Sequence, residues 1–135
     1  MIVRSLACVG AVAILILSVV PANERPVTGA GQVIEHLTTF GLVAGMFAIG
    51  SYRLGLFRLL VAAFLFCGGI ELLQVPLPTR HGRVSDFAVD LLGSYVAIGL
   101  VMFGLNFVRR LDAKKFSMFK RRYRLHGTLF AWLFG

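Results

Sequence analysis

Four long apolar runs separated by short polar connections organise this chain. The first extends from about Ser5 to Val20, the second from Val33 to Gly50, the third from Phe57 to Val75 and the fourth from Asp86 to Val108. None alternates with the period of a strand. Each is long enough for a helix to cross a hydrocarbon layer about 30 Å thick. The pattern predicts an all-α fold, a four-helix transmembrane bundle. After Val108 the pattern changes. Phe116, Phe119 and Tyr123 recur at helical spacing among Lys114, Lys115, Lys120, Arg121, Arg122 and Arg124. That predicts a C-terminal amphipathic helix lying in the membrane interface. Residues 1–110 are thus expected to form the transmembrane domain, and residues 111–135 a basic, aromatic interfacial tail.

The connections carry their own signals. Pro21 and Pro26 bracket a polar loop that continues into Thr28-Gly29-Ala30-Gly31, and Pro76 with Pro78 stops the third run. Ser85 is placed to cap the fourth helix. Within the second run, Gly41 and Gly45 form a G-x-x-x-G that Ala48 extends, a spacing that lets helix backbones approach closely in lipid. The first run also has the length of a signal-peptide core, with Val20-Pro21-Ala22 as a cleavage site, so a cleaved leader is the alternative to a retained span.

Composition sharpens this picture. Hydrophobic residues make up 58% of the chain and charged residues only 15%, and mean hydropathy is +0.83. A soluble domain keeps about a quarter of its residues charged. The net charge of +8 is unevenly spread: eight of the fourteen Lys and Arg follow Val108. Basic residues beside apolar spans read as topology signals and as partners for anionic lipid headgroups, not as a nucleic-acid surface. Four spans place eleven of the fourteen on the side of both termini and leave Arg25, Arg80 and Arg83 on the other. By that bias both termini are cytoplasmic. Cys8 and Cys67 lie in different spans at depths roughly 9 Å apart, too far for a bridge, and read as small buried hydrophobes.

The same topology segregates the acids. Glu35 and His36 open the second span, Glu71 and Gln74 close the third, and Asp86 and Asp90 open the fourth, so three segments bring polar groups to one outer depth. Asp86, Asp90, Gly93 and Ala97 share a helical face. Asp86 alone suits the positive end of its helix. Asp90 lies more than a turn inside, where an ionisable group is by default paired, cavity-facing or functional. Glu71 and Gln74, three apart, share a face of the third span; Arg80 and Arg83 in the adjoining turn are natural partners for the Glu71 carboxylate, and the pairs read equally as helix fastening or as a ligand site. The candidate ligand-binding residues are therefore Glu35, His36, Glu71, Gln74, Arg80, Ser85, Asp86 and Asp90. No metal-ligand or nucleophile motif is present, and no cofactor is expected.

The segment Glu71-Leu72-Leu73-Gln74, then Pro78-Thr79-Arg80, then Ser85-Asp86 through Asp90 to Gly93, resembles the VanZ-like family of bacterial membrane proteins. Val33-Ile34-Glu35-His36-Leu37 is similar to that family's acidic and histidine-bearing helix start. Asp90 stands where the family usually has Asn. The resemblance covers roughly residues 32–100. It implies a multi-pass protein of the bacterial inner membrane, linked through the family's founding member to resistance to the glycopeptide teicoplanin. It implies no settled reaction. The partners expected are membrane lipids and an envelope ligand, either a lipid-linked glycan or a glycopeptide-related molecule. A membrane-embedded enzyme acting on a lipid phosphate, and a structural subunit whose polar cluster only fastens helices, are the alternatives.

Overall fold

A computed structural model describes residues 2–21, 29–77 and 84–134 of the chain, with side chains as far as residue 115 and at Met118. The described residues are all-α. Helix α1 is Ile2–Val19, α2 is Gln32–Gly50, α3 is Leu56–Gln74 and α4 is Val84–Phe134, with a 3-10 turn at Tyr52–Leu54 between α2 and α3. All four are long and apolar enough to cross a membrane, with windows of mean hydropathy from 2.4 in α1 to 1.5 in α2. The boundaries fall within a few residues of the expected ones for α1 to α3. Helix α4 differs. It does not stop near Val108 but continues as one helix through the basic segment. Nothing in residues 105–125 breaks it: the stretch has no proline or glycine and is rich in Leu, Arg, Lys and Phe. The chain divides into two compact units, residues 1–102 and 103–135.

Helices α2 and α3 both enter from a glycine at positive φ, Gly31 at 84° and Gly55 at 82°. With ψ near 150° these conformations belong almost wholly to glycine. A polar loop can therefore turn sharply into an apolar helix at each point.

In the first unit the helix directions follow from paired contacts. Arg4 of α1 meets Gly50 of α2, and Gly10 meets Val43, so these two helices run antiparallel. Helices α2 and α4 run parallel, because Gly41 faces Gly93 and Ala97, and Gly45 faces Ala97 and Val101. Two apolar clusters hold the bundle. One joins Ile14, Phe40, Cys67 and Ile70. The other joins Ala48, Leu59 and Ile98. Only 17% of the apolar window of α1 is buried, and large side chains such as Leu42, Leu65, Val96 and Leu100 face outward. That much outward apolar surface requires an apolar surrounding. Both cysteines are free thiols as the spacing predicts; Cys67 is buried as expected, but Cys8 is exposed on α1 instead of buried.

Candidate functional site

The α2–α4 seam is where the sequence-level glycine pattern becomes chemistry. Gly93 lies so close to α2 that a Cβ there would overlap the Leu37 carbonyl oxygen and come within 3.0 Å of its Cα. A Cβ at Gly41 would stand 3.1 Å from the Gly93 carbonyl oxygen. Two backbones in such contact bring short polar side chains into reach of each other. His36 and Asp90, about one turn outward along the seam, meet with Nδ1 to Oδ1 at 2.9 Å. Asp90 is 2% exposed. With Asp90 ionised, its carboxylate only accepts and Nδ1–H is the donor. Phe40, the next turn of α2, stacks on the histidine ring at 6.1 Å between centroids and 9° between planes.

One turn further outward, Gln32 Nε2 donates to Asp86 Oδ2 at 3.2 Å, and Ser85 Oγ donates to Asp86 Oδ1 at 3.2 Å. One turn inward, Ser94 Oγ lies 3.8 Å from Cys67 Sγ of α3. Asp86, Asp90 and Ser94 recur every four residues on one face of α4, and Gln32 and His36 match them on α2. The structure thus supports the shared face expected for Asp86, Asp90, Gly93 and Ala97.

Two expectations change in detail, and one open position gains a partner. Ser85 is not the cap of α4: the helix already includes Val84, and the Ser85 hydroxyl turns to the neighbouring carboxylate instead. Asp90, left without a named partner at the sequence level, meets His36 of α2. Gln74 points to α1, where its Nε2 donates to the Ser18 carbonyl oxygen at 3.2 Å. Ser18 sits in the last turn of α1, whose carbonyls have no partner within the helix. The Gln74 amide supplies one. Replacing Gln74 by alanine should therefore cost about 1 kcal/mol of bundle stability, read by denaturant titration in micelles. An unchanged midpoint would show that the carbonyl is satisfied otherwise.

Glu35 and Glu71 are both half-buried, and Glu71 keeps its Oε1 out of contact with solvent. Arg80 lies outside the described residues, as do His81 and Arg83. Gln32, Ser18 and Ser94 are the participants that sequence reasoning passed over. Two of them carried a usable signal: Gln32 stands four before His36, and Ser94 four after Asp90. Among the described residues no three His, Cys, Asp or Glu side chains converge as a metal-ligand set.

No family model, curated protein or solved structure matches this chain. The reading of the site rests on its own geometry.

Proposed function

We propose that the chain is a multi-pass protein of the bacterial inner membrane, of VanZ-like type, whose outward-facing polar end binds the charged headgroup of an envelope component. Its four apolar helices span the bilayer, and the basic aromatic tail rests on anionic headgroups at the cytoplasmic face. In that orientation the N-terminal ends of α2 and α4 and the C-terminal end of α3 face outward. The observation that carries the reading is the pair of interhelical bonds, Gln32 to Asp86 and His36 to Asp90, at the same end as Glu71 and Gln74. They preorganise hydrogen-bonding groups at the end of the bundle from which the sequence runs on through Arg80 and Arg83, the cations suited to phosphate or carboxylate. A lipid-linked glycan precursor or a glycopeptide-related molecule has that chemistry, and the resemblance to VanZ-like proteins connects it with teicoplanin resistance.

The test is headgroup binding in nanodiscs. Wild-type protein should retain a lipid-linked diphosphate glycan over a neutral lipid, and Arg80→Ala with Arg83→Ala should weaken retention about tenfold or more while the helices stay folded. Equal retention of both lipids, or no loss in the double variant, would end this reading.

A second reading has its own support in the directness of the His36–Asp90 contact. A side-chain pair that closes on itself across two helices fastens them whether or not anything else binds. In that case the arginine variants leave ligand retention and envelope phenotype untouched, and only the seam residues matter.

A further inference from the structure

We infer that the start of α1 and the turn between α2 and α3 form a site for the phosphodiester of an anionic phospholipid, held by Arg4, Arg53 and Arg58. Gly50 brings the two segments together. A Cβ there would stand 2.9 Å from Arg4 Cβ and 3.0 Å from its Cα and N, so the first turn of α1 lies directly against the end of α2. Arg53 follows in the 3-10 turn Tyr52–Leu54, and Arg58 stands in the first turn of α3. Arg53 Nε donates to Tyr52 Oη at 3.4 Å, and its guanidinium lies 5.9 Å from the centre of that ring. The two terminal nitrogens remain as a fork that matches a phosphate. Arg4 and Arg58 make no side-chain hydrogen bond or ion pair among the described residues. The acids described in this unit, Glu35, Glu71, Asp86 and Asp90, all belong to the opposite end of the bundle.

Three cations gathered without a carboxylate take their counter-charge from outside the unit, and two further features favour an anion here. Helices α1 and α3 both begin at this end, so their first N–H groups, unpaired within each helix, face it. Ser51, next to Gly50, is 7% exposed, and its Oγ has no hydrogen-bond partner among the described residues. A buried polar atom of that kind marks a place for a water or an ion. A turn about its Cα–Cβ bond brings the hydroxyl toward an oxygen held between Arg4 and Arg53. The surroundings make the anion a lipid and not a free phosphate. Ile2, Leu6, Leu54 and Phe57 are exposed apolar side chains close in sequence to the arginines, Ile2 and Phe57 at 78%. Beyond them α1 and α3 are apolar, so the guanidiniums stand at headgroup depth and the acyl chains lie along these side chains. The site belongs to one end of the bundle and is independent of the reading built on Arg80 and Arg83.

Full-length protein in neutral detergent micelles is titrated with phosphatidylglycerol and with phosphatidylcholine, and the retained lipid is read by native mass spectrometry. Wild type should hold phosphatidylglycerol about tenfold more tightly than phosphatidylcholine. Arg4→Gln, Arg53→Gln and Arg58→Gln together should remove that preference, and Ser51→Ala should weaken it a few-fold. An equal loss of charge from the tail, by Arg121→Gln, Arg122→Gln and Arg124→Gln, should leave the tightly held lipid in place. Should the first triple variant not fold, Arg4→Lys, Arg53→Lys and Arg58→Lys keep the charge without the fork and should still lower the preference several-fold. A wild type that holds both lipids equally overturns the site. So does a tail variant that loses as much as the first, because charge at any place would then suffice. A preference that survives at full strength in the glutamine variant, or in the lysine variant, overturns it as well. An unchanged Ser51→Ala overturns the part given to the hydroxyl. Displacement of the lipid by millimolar inorganic phosphate overturns the assignment to a lipid.

Discussion

Gly93→Ala should separate α2 from α4. The added methyl has nowhere to go: it would overlap the Leu37 carbonyl oxygen and press on the Leu37 Cα at 3.0 Å. These are backbone atoms of a helix, not the end of a side chain that can swing aside, so the helices must move apart. Overpacking of this kind costs roughly 1–3 kcal/mol for a methyl, and more for leucine at the same position. Gly45→Ala is the matched control on the same seam. Its methyl would meet Ala97 Cβ at 3.6 Å and Val101 Cγ2 at 3.9 Å, ordinary contact distances, and alanine favours a helix by up to about 1 kcal/mol over glycine. Denaturant titration in micelles should therefore show Gly93→Ala well below wild type and Gly45→Ala near it or above. Equal losses at the two sites would mean that the seam is not closest at Gly93.

The second large effect is expected at the buried pair. His36→Leu removes the Nδ1–Oδ1 contact from the Asp90 carboxylate, which is 2% exposed. Losing one member of a buried ion pair costs about 3–5 kcal/mol in soluble proteins. Interhelical hydrogen bonds inside membranes average about 0.6 kcal/mol, and a buried carboxyl that loses a charged neighbour can take up a proton. A loss of roughly 2–3 kcal/mol follows from weighing these. Adding Asp90→Leu should recover most of it, because two apolar side chains can fill the seam with no charge to satisfy. The double variant also separates the two functional readings. If the polar pair serves only to fasten helices, the recovered bundle keeps its envelope phenotype. If the pair belongs to a site, stability returns and the phenotype does not.

Both predictions concern a place where sequence reasoning came near and stopped. It placed Glu35, His36, Glu71, Gln74, Asp86 and Asp90 at one end of the bundle, because helix lengths and direction reversals set depth along the helix axis. Depth is a one-dimensional quantity, and hydrophobic run lengths carry it. Which residues meet across that depth is a matter of rotation about each helix, and in a chain whose helices are apolar all round the pattern hardly encodes rotation. Hence Asp90 was flagged as needing a partner without one being named, and His36 stands on α2, fifty-four residues away. Gln74 was grouped with the acids, although its amide closes the end of α1. The G-x-x-x-G was the exception. Small residues at Gly41 and Gly45 mark a face without depending on polarity, and that face is the one α4 packs against.

The end of α4 shows the opposite case. Charge and aromatic spacing after Val108 marked a change of surroundings, and a separate helix was the natural reading. The backbone continues unbroken because helix propensity is local and ignores whether the next turn is apolar or basic.

The sequence by itself determined the helical class, the four apolar spans with the approximate limits of the first three, and the gathering of the acids of α2, α3 and the start of α4 at one end, since each follows from local composition and run length. The tertiary structure alone decided the pairing of His36 with Asp90, the turning of Gln74 to Ser18, and the meeting of Ala48, Leu59 and Ile98 in one apolar cluster. Those depend on how far two backbones approach and how each helix is rotated, which are properties of packed surfaces and not of any one segment.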